Sequence, residues 1–310
     1  MKAIACIKSG SPDVLKLRDV KKPKPKNNEL LVKVHASTVS QGDVVLRKIH
    51  PLLFLPLRLF GFQRKKILGH EFAGRIEEIG KDVTEFSKGE KVFGTTTGLD
   101  VGANAEYVCV PEKWDKGVVA RMPSDATYED AAALPVGGMT ALTILNRGNI
   151  QNGQRVLVYG ASGSVGTYAV QLAKYLGTHV TGVCSSRNVD LVKDLGADLV
   201  IDYTEKDYGE GGQIYDVVFD AVGKITTHEA KNVLTDDGRF LTVQKSAPEN
   251  LKNLRVLRDL LEQRKIKPVI DWTYRLEETA SAHRYVETGC KRGNVVISVT
   301  PQSSGFALRE

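Results

Sequence analysis

Residues Val156–Arg187 read VLVYGASGSVGTYAVQLAKYLGTHVTGVCSSR. Val156, Leu157 and Val158 are the apolar run of a buried parallel strand. The turn that follows, Gly160-Ala161-Ser162-Gly163-Ser164-Val165-Gly166, carries glycines at three-residue intervals. A helical pattern (Val165, Ala169, Leu172, Ala173, Leu176) then runs to Gly177, and a second strand, His179–Cys184, begins at once. Glycine is required in such a turn for tight reversal, for approach of backbone N–H groups to a pyrophosphate and for close packing of helix on strand. The helix start adds unpaired N–H groups and the positive end of its dipole. A glycine triplet alone identifies nothing; inside a βαβ unit of this length it predicts a dinucleotide site. The alternative is a glycine-rich loop in an α/β core that binds nothing.

The end of the second strand selects the cofactor. A site for NAD usually places Asp or Glu there to bond the ribose 2′-hydroxyl. This chain has Cys184-Ser185-Ser186-Arg187, with no acid before Asp190. A carboxylate repels a 2′-phosphate, whereas hydroxyls and a guanidinium bind it through charge-assisted hydrogen bonds. Ser185 and Arg187 therefore predict NADP(H), the alternative being that Arg187 is a solvated surface residue.

The chain of 310 residues has the length of two domains. Its 42% hydrophobic and 26% charged residues are those of a globular protein. The stretch Pro51–Phe62 (PLLFLPLRLFGF) is too short, and too broken by Arg58 and two prolines, to span a bilayer. The start, MKAIACIKSG, has no apolar core of signal-peptide type. Cys6, Cys109, Cys184 and Cys290 form no CxxC pair, which fits a reducing compartment; a cytoplasmic protein without membrane insertion is expected. The net charge of +6 is spread along the chain. Its densest run, Lys21–Lys26 (KKPKPK), reads as a solvated turn, and no nucleic-acid partner is expected.

Short strands separated by turns fill the first hundred residues: Lys2–Lys8, Glu29–Ser37, Gly74–Ile79, Lys91–Gly94 and Ala105–Val110. From Tyr128 the texture becomes helical, with Asp130–Pro135 and Thr140–Arg147 leading to the nucleotide strand. Strand candidates then recur at Val156–Tyr159, Val180–Cys184, Leu199–Tyr203, Val217–Ala221 and Arg239–Val243, alternating with helical Asn188–Leu195 and Thr227–Leu234. This alternation predicts an α/β fold with a doubly wound parallel sheet. Helical Leu251–Gln263 and Glu277–Glu287 precede a last strand, Asn294–Val299, expected to return to the N-terminal β-rich part. The predicted organisation is 1–122 with 270–310 as one domain and 123–269 as the other.

Further motifs extend the reading: Gly69-His70-Glu71-Phe72-Ala73-Gly74, Gly102-Ala103-Asn104-Ala105-Glu106-Tyr107, Leu134-Pro135-Val136-Gly137-Gly138-Met139-Thr140-Ala141, Leu195-Gly196-Ala197-Asp198, Ile201-Asp202-Tyr203, Asp220-Ala221-Val222-Gly223 and Gly293-Asn294-Val295-Val296. In this order and spacing, over nearly the whole chain, they resemble the medium-chain dehydrogenase/reductase superfamily, in its zinc-independent NADPH:quinone oxidoreductase-like branch. The resemblance implies a GroES-like β-rich catalytic domain, a Rossmann domain and an active site between them.

Zinc-dependent relatives use Cys, His and Cys ligands. Here the matching positions are Ser40, His70 and Val136. One ligand of three does not hold zinc, and no metal is expected. The resemblance places Gly137, Gly138 and Thr140 beside the nicotinamide, with Leu241–Val243 facing it. Ser162, Gly163, Ser164 and Val165, between Gly160 and Gly166, would hold the pyrophosphate. Tyr203 matches a tyrosine near the adenosine end, or is packing.

Without a Lewis acid, the favoured reaction is hydride delivery to a quinone or the β-carbon of an enone or enal, whose product oxyanion needs only hydrogen-bond donors and a proton. Ser40, His70 and Thr140 are the donor candidates. By the resemblance, Asp43 is the carboxylate nearest the reactive end, the alternative being a structural role. Quinone reductases of this branch often carry Asn where Ser40 stands and Tyr where Val45 stands, which puts quinone itself in question. The apolar segment Lys48–Phe62 is either the wall for a small apolar acceptor or a helix packed into the β-rich domain. Only Gln244–Asn250 separates the fifth Rossmann strand from the next helix, so a five-stranded sheet is expected. A monomer, or a dimer through a surface other than the usual sheet edge, follows from that. Two other readings stand beside this one: an alcohol or aldehyde dehydrogenase with metal, and a non-catalytic NADPH-binding sensor.

Overall fold

The computed structural model describes residues 1–49, 66–210, 212–245 and 247–300. The apolar wall anticipated at Lys48–Phe62 therefore lies, apart from Lys48 and Ile49, outside the described residues. The N-terminal segments form the strands β1 (Lys2–Cys6), β2 (Leu15–Asp19), β3 (Glu29–Thr38), β4 (Glu71–Ile79), β5 (Lys91–Thr95), β6 (Tyr107–Pro111) and β7 (Val119–Arg121), of which β3, β4 and β5 are mostly buried. β1 and β2 form an antiparallel ribbon. Leu30, Val32, Val34, Phe72, Ile76 and Val92 fill the core between the others. The helix α1 (Gln41–Lys48) interrupts the series, and the sequence reading did not anticipate it. Ser40 starts α1 as its N-cap, and Asp43 answers as the other half of a capping box.

α2 (Tyr128–Ala133) and α3 (Pro135–Arg147) lead into the dinucleotide unit. α3 begins five residues before the expected Thr140. Gly137 and Gly138 hide that start from a periodicity argument, because they are sites of contact: a Cβ on Gly137 would stand 2.6 Å from Ser164 Oγ, and one on Gly138 3.0 Å from Leu257. The unit then alternates as β8 (Arg155–Tyr159), α4 (Ser164–Tyr175), β9 (His179–Cys184), α5 (Val189–Asp194), β10 (Leu199–Asp202), β11 (Tyr215–Asp220), α6 (Thr227–Lys231) and β12 (Leu234–Thr242). β12 begins where the helical reading of Thr227–Leu234 ended, since Leu234 already pairs with Tyr215 and a bulge precedes the pairing of Arg239 with Val217. These strands form a parallel sheet in the order β10-β9-β8-β11-β12. The winding reverses direction between β8 and β11, which opens a crevice above their C-terminal ends.

α7 (Leu251–Glu262) covers α3. β13 (Ile270–Arg275), α8 (Thr279–Glu287) and β14 (Asn294–Ser298) then carry the chain back. β14 pairs antiparallel with β3, as the sequence suggested, and β13 adds an unanticipated edge strand parallel to β14. The resulting sheet runs β13-β14-β3-β4-β5-β7, with β6 also paired to β3.

α8 packs His283 against α1 with 0% of its surface exposed, and neither ring nitrogen has a hydrogen-bond partner among the described residues. Burial, with Arg47 adding to it against the opposing charges of Asp43 and Glu287, pushes its pKa down to about 4 from 6.5. The unfolded chain therefore takes up this proton before the folded one, so His283 costs no stability above pH 6.5 and progressively more as pH falls toward 4. Between pH 7.5 and 5 the loss is roughly 2 kcal/mol. In urea titrations at these two pH values, His283→Leu should lose about that much less stability than the natural chain. Equal losses would contradict the buried neutral imidazole.

Candidate active site

The turn between β8 and α4 has a separate steric demand at each of its glycines. Gly160 sits at φ +76°, and its N–H, with that of Ala161, donates to the Val183 carbonyl at 3.0 Å. A Cβ on Gly166 would lie 2.1 Å from the Gly160 carbonyl oxygen, so only glycine lets α4 approach this closely. At Gly163 the position is different: an added Cβ meets nothing nearer than 3.5 Å. Gly163 is the N-cap of α4, and no side chain caps that helix. The N–H groups of Val165 and Gly166 have no acceptor among the described residues, and that of Ser164 faces the Gly293 carbonyl across a parallel bridge. An open position over unpaired donors at a helix start fits a dinucleotide diphosphate.

The other wall of the crevice comes from the segment before β14. Gly293 donates to the Ser162 carbonyl at 2.8 Å and pairs with Gly163 as an isolated parallel bridge. Ser164 Oγ donates to Asn294 Oδ1 at 2.6 Å. Asn188 Nδ2 donates to Ser162 Oγ at 3.0 Å and to Ser185 Oγ at 3.2 Å, which joins the turn to the end of β9. Arg187 is exposed, and its Nη2 donates to the Cys290 carbonyl at 2.8 Å. Tyr203 is 54% exposed at the end of β10, so it is not core packing. Leu241 packs beside Gly148 at the C-terminal end of α3, and Val243 stands near Gly223.

In the β-rich part, Asp43 is fully buried and saturated with donors. Its Oδ2 accepts from the Ser40 N–H at 2.9 Å and the Ser40 hydroxyl at 2.7 Å; its Oδ1 accepts from the Gly69 N–H at 3.0 Å and faces His70 Nδ1 at 2.9 Å. Burial works against the charged form, but His70 and the Ser40 hydroxyl outweigh it and hold the Asp43 carboxyl well below the usual range. The Ser40 hydroxyl is thus engaged in capping α1. His70 keeps 19% of its side chain exposed. Thr140 is half-buried on α3, and its hydroxyl makes no hydrogen bond to the described residues.

Three groups that matter here were not singled out from sequence. Glu71 stood in the Gly69–Gly74 motif without a role. It is 3% exposed, accepts from the Thr38 hydroxyl, and accepts from the Val136 N–H at 2.7 Å. Burial pushes its carboxyl up to about 7, opposed by those two donors and reinforced by Asp43 and Glu249. Glu249 itself accepts from the Thr95 and Thr97 hydroxyls, the latter at 2.8 Å, which ties the loop after β12 to β5. Lys291, two residues before Gly293, is part-buried and donates its ammonium to the Gly293 carbonyl at 2.5 Å.

Residues 26–124 match the family model of the alcohol dehydrogenase GroES-like domain, and residues 164–283 that of the zinc-binding dehydrogenases. The chain is 32% identical over 327 aligned positions to the 2-methylene-furan-3-one reductase of Solanum lycopersicum, covering 97% of this chain and 80% of that one. It belongs to the medium-chain dehydrogenase/reductase superfamily, in the quinone-oxidoreductase-like branch. A quinone-oxidoreductase homolog of Spinacia oleracea is 31% identical, with 93% and 95% of the two chains covered. The solved quinone oxidoreductase of Coxiella burnetii superposes with a TM-score of 0.86 at 31% identity, over 97% of this chain and 99% of that one. The protein is therefore an oxidoreductase that uses a nicotinamide cofactor and acts on a small substrate. The zinc in the name of one family model does not fit this donor set. Val136 has no ligand atom, the Ser40 hydroxyl is bound to Asp43, and no group of three His, Cys, Asp or Glu side chains suited to a metal occurs among the described residues.

The differing space around the glycines separates fold from binding. Gly163→Ala should fold with an unchanged melting temperature and lose about tenfold or more in dinucleotide affinity, as measured by titration calorimetry, because its methyl occupies the approach to the helix N–H groups. Gly166→Ala should fail to fold or melt far lower. Normal binding by a folded Gly163→Ala variant would contradict this placement of the diphosphate.

Proposed function

We propose that the protein is an NADPH-dependent, zinc-free oxidoreductase that reduces quinones or α,β-unsaturated carbonyls. The observation that carries this reading is a glycine turn open to a diphosphate together with the buried Asp43–His70 pair, with no set of metal donors among the described residues. Relatives named 2-methylene-furan-3-one reductase, quinone-oxidoreductase homolog and, at 30% identity, NADPH-dependent alkenal/one oxidoreductase of Arabidopsis thaliana support the substrate class.

NADPH, when bound, supplies a hydride. The protein's residues bind, orient and protonate. The Gly160–Gly166 turn and the start of α4 hold the diphosphate. Ser185 and Arg187 hold the 2′-phosphate, a reading supported by the absence of an acid at the end of β9. Asp202, the carboxylate at the end of β10, is satisfied locally by the Thr204 N–H and hydroxyl at 2.9 and 2.7 Å. Asp43 fixes the His70 ring and stabilises positive charge on it, so His70 is the group placed to hold a proton for the acceptor's oxygen. Thr140, with its uncommitted hydroxyl, is the second donor; Ser40 and Asp43 act through His70.

We assign residues 1–122 and 270–310 to the catalytic domain and 123–269 to the dinucleotide domain. This is supported by the two sheets and by the matched segments. The sheet ends at β12, whose exposed Asp236 and Asp237 discourage edge pairing. That supports a monomer, or a dimer through another surface. Four free cysteines support the cytoplasm.

Turnover of NADPH and NADH with 1,4-benzoquinone, an enone, an enal and a plain aldehyde tests the function. The expected result is NADPH-selective turnover with quinone or enone that survives metal chelation. Activity confined to the aldehyde and lost with chelator would favour a metal-dependent dehydrogenase; NADPH binding with no turnover would favour a sensor. Arg187→Ala should raise KM for NADPH roughly 10- to 100-fold, the worth of a charge-assisted bond of about 1.5–3 kcal/mol, and leave KM for NADH unchanged. Equal KM values for NADPH before and after the substitution would remove Arg187 from the site.

A further inference from the structure

We propose that Lys291 is a further cofactor-binding residue, whose ammonium, brought to the glycine turn by the pairing of Gly293 with Gly163, binds the diphosphate of the dinucleotide. The proposal rests on the reading of the crevice as a dinucleotide site.

Three observations converge on it. The first is placement. Lys291 Nζ donates to the Gly293 carbonyl, and the backbone of Gly293 is itself bonded to Ser162 and paired with Gly163. The amine is therefore tethered to the residue that pairs with the turn, beside the helix start whose Val165 and Gly166 N–H groups have no acceptor among the described residues. The second is an absent counter-charge. Lys291 is largely buried yet forms no ion pair with a described carboxylate. The carboxylates that face it are committed elsewhere. Asp271, on β13, accepts from the Arg292 backbone N–H at 2.7 Å and side chain at 3.2 Å, and from the Tyr285 hydroxyl at 2.6 Å. Glu71, on β4, is bonded by Thr38 and Val136. The third is the state of the amine. Burial pulls its pKa down to about 8, against the opposing charges of Glu71 and Asp271. A buried cation lacking an anion is costly, and an anionic ligand that supplies one is bound correspondingly better.

Lys291 and the Arg187 site make different demands. A contact with the diphosphate is shared by NADPH and NADH; a contact with the 2′-phosphate is not. Binding of NADP⁺, NAD⁺ and ADP-ribose to the natural chain, Lys291→Met and Lys291→Arg, measured by titration calorimetry, separates them. Lys291→Met should weaken all three ligands by the same factor, about tenfold or more, and Lys291→Arg should restore most of the loss. In the natural chain, affinity for NAD⁺ should fall about tenfold between pH 7 and 9 as the free amine deprotonates. Proton uptake on binding should appear at pH 8 when two buffers of different ionisation enthalpy are compared. This last measurement needs no variant and holds even if Lys291→Met does not fold. Unchanged affinity in a folded Lys291→Met variant, loss for NADP⁺ alone, or unchanged affinity with a fall in kcat would each overturn the proposal. A natural chain that binds none of the three ligands would instead overturn the dinucleotide site itself.

Discussion

The crevice depends on how closely α4 approaches the turn before it. The Gly160 carbonyl occupies space that any side chain at position 166 would need, so the helix starts directly against the strand end. Two consequences follow from that one contact. The unpaired N–H groups of the first turn of α4 face the opening above β8 and β11, where the winding of the sheet reverses. The turn also becomes a docking edge, on which the Gly293–Asn294 segment lies by main-chain bonds and by Ser164 to Asn294. The dinucleotide unit and the β-rich unit are thus joined at the turn to which we assign the cofactor's phosphates.

Buried charge organises the rest of the crevice. Asp43 is kept ionised at 0% exposure because four donors converge on it, one of them the imidazole it orients. Glu71, with two donors, is not fully compensated, and its carboxyl rises to about 7. Lys291, with one carbonyl partner, falls to about 8. The number of partners decides how far each group departs from its ordinary behaviour. At the positions that the resemblance matches to zinc ligands this chain has Ser40, His70 and the aliphatic Val136, with Asp43 bonded to His70 and the buried Glu71 bonded to the Val136 N–H.

The glycine turn and the strands beside it could be read from sequence because their demands are local. A glycine every three residues between an apolar run and a helical period has few alternatives, and the alternation that follows implies a parallel sheet. What escaped reading depends on distant partners. Glu71 acquires its character from Thr38 and Val136, 33 and 65 residues away, although it was visible as a letter of a motif. Lys291 matters only because its segment meets the turn across 130 residues, as Ser164 and Asn294 record. β13 (Ile270–Arg275) escaped because its residues are part-exposed at a sheet edge and Asp271 points inward to Arg292 and Tyr285, which spoils any period of two. The start of α3 was hidden by glycines that serve packing against α4 and α7.

Transfer of label from cofactor to product tests the central claim most directly. With NADPH deuterated at either face of C4, a single turnover of a simple enone should place deuterium on the β-carbon of the saturated ketone, from one face only, as read by NMR. The label should stay there after the protein is treated with a strong chelator. Deuterium on the carbinol carbon of an allylic alcohol, or a product carrying no label, would contradict a metal-free crevice that directs hydride to an activated carbon.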